Sequence, residues 1–364
     1  MKIAQIVQVL EEAAPKLWQE EYDNSGLIIG DPDKEISHAL VCVDVTSAVI
    51  AEASEKRCEL IISHHPIVFR GLKRVIPGNL TEDLVIQALR NDIAVCSVHT
   101  NLDNIERGVS WILGHKIGLA HSRILAPRKG LLRKLVTFCP VNYADKVMQA
   151  IFEAGAGLIG NYDSCSFQLR GEGTFRGLEG SQPFVGEKGK VHVENELRLE
   201  TIFPVNRERE IIGALLSAHP YEEVAYDIYP IDNEYNKVGS GMIGDLAAPL
   251  TERELLDLLK TVAGSYVIRH SGFLGKPVKK VAVSGGSGSF LIKDALTQKA
   301  DAFITADLKY HDFFEAYHKI LLVDIGHYES EQFTKELITS ILVKKFPTFA
   351  VLMTEHNTNA VHYY

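Results

Sequence analysis

The chain has 364 residues, 46% hydrophobic and 23% charged, with 38 Lys and Arg against 47 Asp and Glu and a formal charge of −9. That length is too great for one compact core and predicts two domains, three at most. The acidic balance argues against a general phosphate-backbone binder, which needs many Lys and Arg contacts, and no strong nucleic-acid signature is present. The N-terminus, MKIAQIVQVLEEAAPKLWQ, has acidic residues where a secretory signal keeps an apolar core, so no export is expected. No stretch approaches ~18 uninterrupted apolar residues, so no membrane span is expected. The five cysteines (Cys42, Cys58, Cys96, Cys139, Cys165) are scattered and form no C-x-x-C pair. Neither a disulfide framework nor a thiolate zinc site follows, and a reduced, cytoplasmic setting fits best.

In chain order, Ile3 to Trp18 carries a helical apolar stripe at Ile3, Ile6, Val7, Leu10 and Ala14. Short apolar runs at 38–44, 59–63 and 93–98 predict strands, with helices at 47–56 and 81–91 between them. Continuous apolar strands separated by helices point to a parallel sheet covered on both faces. The style returns after about residue 240. A helix is expected at 250–263, strands at 280–284, 302–305 and 320–325, a helix at 329–343 and a last strand at 349–353. The two ends therefore read as halves of one α/β domain, 1–125 plus 236–364.

The middle differs. Strand 134–139, helix 142–154 and strand 164–170 lead into a glycine-rich stretch, Gly171 to Gly189. A long alternating strand (193–202), a helix (207–217) and a strand (224–229) follow. The order is β-α-β-β-α-β, that of a ferredoxin-like α+β module. It is read as an insertion at 126–235; the alternative is a second domain in series with an unrelated third.

Open α/β sheets bind ligands at the carboxyl ends of their strands. Those ends carry His64-His65-Pro66, His99-Thr100-Asn101-Leu102-Asp103, Ala306-Asp307-Leu308-Lys309-Tyr310-His311 and Gly326-His327-Tyr328-Glu329-Ser330-Glu331. Five of the 14 histidines stand there. Singly these residues have plain readings: a solvated His-His turn, Asp103 as a helix cap, Glu331 as a first-turn acid. His327 and Glu331, however, are spaced i, i+4 around a helix start and can face one point above the sheet. Together His64, His65, Asp103, His327 and Glu331 make a set of three imidazoles and two carboxylates. Such a set without thiolate suits Zn, Mn or Fe. Five ligands exceed what one open catalytic zinc needs, and two ions sharing a carboxylate is the economical solution.

The motifs YDNSGL (22–27), ISHHP (62–66), HTNLD (99–103), ADLKYH (306–311) and GHYESE (326–331) resemble the GTP cyclohydrolase 1 type 2 homologue family, also called the Nif-three-like family. The match spans both outer stretches in order; it departs at Ala306, where glycine is common. The middle module, with His219-Pro-Tyr-Glu-Glu-Val, looks like the PII/CutA-like insert of the longer bacterial members. The resemblance implies a dinuclear centre of two divalent ions per subunit, held by His64, His65, Asp103, His327 and Glu331 with Glu331 bridging, and a ring-shaped homohexamer.

Around that set, Glu331, His99 and His311 are the catalytic candidates, and His99, Asp307 and His311 are placed to orient ligands or shuttle protons. The ordinary alternative for each is a hydrogen-bonded structural residue. Lys309 and Tyr310 are candidates for an anionic substrate, and Asp23, Asn24 and Asp44 for the mouth of the site. The Ser284–Ser289 loop is either a phosphate cradle or a tight glycine turn; it lacks the Lys-Ser/Thr ending of a Walker loop. Two functions follow. One is a metal-dependent hydrolase acting on a nucleotide, including GTP ring opening, or a phosphoester- or amide-type substrate through a metal-bridged water. The other is a non-catalytic metal-binding or regulatory oligomer sensing a small molecule through the insert.

Overall fold

A computed structural model describes Met1–Tyr364. The chain separates into two compact units, Met1–Pro127 with Asn236–Tyr364, and Arg128–Tyr235. Fifteen strands run through it. The first five are β1 (Gly26–Ile29), β2 (His38–Cys42), β3 (Leu60–Ser63), β4 (Ala94–Ser97) and β5 (Leu119–Arg128). Next come β6 (Leu132–Pro140), β7 (Ser166–Arg176), β8 (Val191–Pro204) and β9 (Tyr226–Ile231). The last six are β10 (Tyr235–Leu250), β11 (Arg269–His270), β12 (Val278–Ser287), β13 (Ala302–Ala306), β14 (Leu321–Asp324) and β15 (Ala350–Met353).

The outer unit holds two mixed sheets where the apolar runs predicted a parallel one. The first has the order β1-β4-β3-β2-β15, the second β11-β14-β13-β12-β10-β5. In the first, β15, β2, β3 and β4 are parallel and β1 is an antiparallel edge. In the second, β12, β13 and β14 are parallel, flanked by antiparallel β10 and β11. The two ends of the chain exchange strands: β15 pairs with β2, and β5 neighbours β10. Strands β1, β5, β10 and β11 escape the sequence reading: β1 and β11 are very short, and β5 and β10 are not clean apolar runs. In β10 the cause is glycine. A Cβ at Gly239 would come within 2.2 Å of the Ala126 carbonyl, and one at Gly244 within 2.8 Å of the Ala120 carbonyl, so β5 lies against β10 only because side chains are missing there.

The parallel strands bury both faces, which is why they read as unbroken apolar runs. Ala39, Val41, Leu60, Ile62, Val281, Val283, Ile304 and Val323 point into one shared core with helices Ile3–Ala13, Val109–Lys116, Glu252–Ala263 and Thr334–Lys345. Leu40, Ile61 and Val95 face the other way, onto helices Ser47–Glu55 and Leu80–Arg90. Ala282, Phe303 and Leu322 do the same in the second sheet, beneath helix Ile292–Thr297. A helical layer thus lies between the sheets. Each such fully buried Val, Leu, Ile or Phe side chain contributes ~1.5–3 kcal/mol.

The middle unit keeps the β-α-β-β-α-β order, with sheet order β7-β8-β6-β9 and all neighbours antiparallel. Helices Ala144–Glu153 and Glu208–Ala218 cover one face through Val147, Met148, Ile151, Ile211 and Leu215 against Leu135, Leu199 and Phe203. The glycine-rich stretch does not begin as a loop: β7 continues to Arg176, its residues Gly171–Arg176 pairing with Val191–Glu196 of β8. No helix in the chain is long and apolar enough to cross a membrane.

Candidate metal centre

The chemistry gathers where the strands of the outer unit end. His64 and His65 follow β3, His99 and Asp103 follow β4, and His327 and Glu331 occupy the short helix His327–Glu331 after β14. Their imidazoles cluster, with ring centroids 4.9 Å apart for His64–His65, 5.3 Å for His65–His327 and 5.2 Å for His64–His99.

Every one of these rings is held from behind. His64 Nδ1 donates to the Val98 carbonyl at 2.9 Å, His65 Nδ1 to Asp44 Oδ1 at 2.7 Å, His99 Nδ1 to Asp23 Oδ1 at 2.8 Å and His327 Nδ1 to Asp307 Oδ2 at 2.7 Å. A carbonyl or carboxylate oxygen only accepts, so Nδ1 carries the hydrogen and Nε2 faces inward, where the ring would present a lone pair to a metal on losing its second proton. The holders are braced in turn. Asp23 accepts from the Thr100 backbone N–H at 3.0 Å and from its hydroxyl, and Asp44 Oδ2 accepts from Thr358 Oγ1 at 2.8 Å.

Glu331 lies in the middle with its two oxygens divided. Oε2 is 3.1 Å from His65 Nε2 and 3.0 Å from His327 Nε2, which are 3.4 Å from each other. Oε1 is 3.7 Å from His64 Nε2, itself 3.6 Å from Asp103 Oδ1. Ligands sharing one ion at about 2.0–2.2 Å stand roughly 3–3.5 Å apart, so both separations are near coordination spacing. His64 Nε2, Asp103 Oδ1 and Glu331 Oε2 are buried without a hydrogen-bond partner. Buried polar atoms are rarely left so, and here three converge on one place. The residues therefore fit a metal: His65, His327 and Glu331 form one group able to hold an ion, and His64, His65 and His99 another.

The electrostatics carry the same tension. Burial opposes charge on Glu331, but the His64, His327 and His65 imidazoles outweigh it and hold its carboxyl well below the usual range. Asp103 is pushed well above its range by burial and by the Glu331 carboxylate. Its Oδ1 is the buried oxygen, while the side chain as a whole keeps 29% exposure. Burial depresses His64. Burial also works against charge on His65 and His327, yet the carboxylates beside them win and raise the rings to about 10 and about 11. Burial would raise Asp23 and Asp44, but the hydrogen bonds from His99, Thr100 and His65 hold both low; Asp307 is held low chiefly by His327.

The other sequence candidates fall differently. His311 stands outside the cluster: it is exposed, and its ring contacts are with Tyr310 and Phe314. Lys309 and Tyr310 are exposed beside it. Asn24 donates to the Val68 carbonyl at 2.7 Å, a structural bond. The Ser284–Ser289 segment is no free phosphate cradle. β12 runs through to Ser287, and the amides of Gly285 and Gly286 are taken by Ser110 Oγ at 3.3 Å and Ser330 Oγ at 2.9 Å. Its glycines make room instead: a Cβ on Gly286, at φ +60°, would sit 2.2 Å from Glu331 Oε1. Sequence reasoning missed this role and that of Thr358, since nothing local marks a residue that supports a site from a distant part of the chain.

Two α/β sheets whose strand ends bring together histidines and carboxylates able to hold a metal ion define the class of protein. The chain belongs to the Duf34/NIF3 (NGG1p interacting factor 3) family, whose model matches residues 1–360. It is 40% identical over 362 residues to a Bacillus subtilis (strain 168) protein named GTP cyclohydrolase 1 type 2 homolog, covering 98% of this chain and 96% of that one. A Mycobacterium tuberculosis protein of the same name is 34% identical over 340 residues, 91% of this chain and 88% of its own length. The crystal structure of a Bacillus cereus protein related to NIF3 aligns with a TM-score of 0.87 at 33% identity, covering 100% of this chain and 99% of that one. The family resemblance carried by the five motifs is thereby shown.

Proposed function

We propose that this cluster is a dinuclear divalent-metal centre and that the protein is a metal-dependent hydrolase acting on a nucleotide or phosphoester-like substrate. The observation that carries the reading is the division of Glu331, one oxygen toward His65 and His327, the other toward His64, which Asp103 also approaches. That arrangement supports two ions with Glu331 between them, and imidazole with carboxylate suits Zn, Mn or Fe. The name shared by the relatives supports hydrolysis as the reaction class, while fold does not choose the substrate.

When bound, divalent cations acidify a water and polarise a substrate oxygen. The protein's own residues do the rest. His64, His65, Asp103, His327 and Glu331 hold, and Asp44 and Asp307 lock His65 and His327 in the tautomer that presents Nε2. Asp307→Ala frees the His327 ring, and its metal affinity is expected to fall roughly 10–100-fold in chelator competition. Unchanged affinity would show that Asp307 has no orienting role. His99, fixed by Asp23 and part-buried, is the group that takes and returns a proton at Nε2.

The outer unit is the metal-binding domain of this reading, and the middle unit is the ferredoxin-like, PII/CutA-like insert, a view supported by its sheet order. The resemblance supports a homo-oligomer, a homohexamer, and the five unpaired cysteines support a cytoplasmic setting. The test is turnover by protein reconstituted with Zn, Mn or Fe(II) against GTP, other nucleotides and phosphoesters. A substrate is expected whose turnover is lost with chelator and falls roughly 10²–10⁴-fold in His99→Ala with metal content retained. Inertness of the wild type across the panel overturns the hydrolase reading, and equal rates in the two proteins overturn the role of His99.

A further inference from the structure

The middle unit contains a cavity of about 640 Å³ that shares no residue with the histidine cluster. That volume is within the roughly 300–1,000 Å³ of small-molecule sites. It opens on the face of the sheet opposite the two helices, where β7 and β8 carry Gly173, Phe175 and Glu196, and is closed by Phe184 and Tyr221 from loops. The three rings surround it, with centroids 5.9 Å apart for Phe175–Tyr221 and 6.3 Å for Phe184–Tyr221.

Glu196 is the unusual member. Its side chain lines the cavity, yet the residue is only 7% exposed, and its one hydrogen bond is from Tyr221 Oη to Oε1 at 2.7 Å. Burial and this carboxylate push the Tyr221 phenol above its ordinary value, so it remains a donor. Oε2 is left without a protein partner and lies over Gly173, where a Cβ would come within 2.1 Å of it. A glycine in mid-strand weakens the strand, and here its absent side chain leaves room for the carboxylate. The fold of this unit does not use its second oxygen; its core lies on the helical face.

We propose that this cavity binds a small organic cation, an amine, amidine or guanidine on a flat or apolar frame, with its nitrogen donating to Glu196 Oε2 and its frame between Phe175, Phe184 and Tyr221. The ring faces attract a cation, and the carboxylate supplies its counter-charge. A purely anionic ligand meets Glu196 at the wall and Glu222 and Glu223 beside it. Arg176 and Arg198 also line the cavity, Arg198 with its Nε 2.9 Å from Glu200, and they admit a carboxylate elsewhere on the same ligand. The proposal stands apart from the metal-centre reading and survives or fails without it.

Benzamidine and benzoate, of the same shape and opposite charge, are the probes, titrated calorimetrically into the full chain. Saturable benzamidine binding is expected, with none for benzoate at the same concentration. Glu196→Gln is expected to weaken it roughly tenfold or more while leaving metal content unchanged. Should that variant fail to fold, Phe175→Leu removes one ring face and is expected to weaken binding as well. No saturable benzamidine binding, equal binding of benzoate, or full binding in a folded Glu196→Gln protein overturns the proposal.

Discussion

Glu331→Gln is expected to leave the protein with almost no bound metal after dialysis, whereas Asp103→Ala is expected to lose about one of two ions. The asymmetry follows from position. Glu331 approaches His65 and His327 with one oxygen and His64 with the other, so every proposed ion depends on it; of the three imidazoles Asp103 approaches His64 alone within 4.0 Å. Glutamine keeps the shape but replaces one of the two carboxylate oxygens by an NH2, which donates and cannot ligate a cation, and its remaining oxygen is neutral. Metal analysis on dialysed wild type and both variants is the measurement. Full stoichiometry in Glu331→Gln would falsify the assignment of Glu331 as a ligand, and equal losses in the two variants would leave the site with one ion.

Gly286→Ala is expected to disable the same site from outside it. A methyl group there would stand 2.2 Å from Glu331 Oε1 and 3.4 Å from His327 Cε1, so the carboxylate must move. The backbone is also left-handed at φ +60°, which costs an alanine about 1–2 kcal/mol. The expected result is metal affinity at least roughly tenfold weaker, together with urea unfolding of the metal-free protein shifted down by about 1–2 kcal/mol. Wild-type metal affinity in this variant would mean that Glu331 is not held in place by the approach of β12.

The candidate site residues, the five proposed ligands and His99 beside them, are legible because of where they stand. His64, His65, His99 and Asp103 follow runs that could only be buried strands, and such strands leave their functional groups at the carboxyl end. His327 and Glu331 were legible by helical spacing, and the structure gives them 3.0 Å between Nε2 and Oε2. His311 met the same positional criterion but lies exposed beside Tyr310 and Phe314, since a position near a strand end does not say which way the following turn carries a side chain. Composition marks Gly171–Gly189 only as a glycine-rich stretch between strands, and Ser284–Ser289 as a cradle or a tight turn. Gly171 and Gly173 proved to be strand, and Gly286 proved to be room for a carboxylate. Missing atoms acquire meaning only from what approaches them.

The sequence by itself determined the α/β character of both ends, the β-α-β-β-α-β order between them and the residue types that converge. Those depend on periodicity and on local order along the chain. The tertiary structure alone decided that the ends form two sheets with β5 and β15 exchanged, and that Asp23, Asp44 and Asp307 stand behind His99, His65 and His327. It also decided that Thr358 braces Asp44 across 314 positions of chain. Pairings of that kind depend on packing between distant segments, and no local pattern of side chains encodes them.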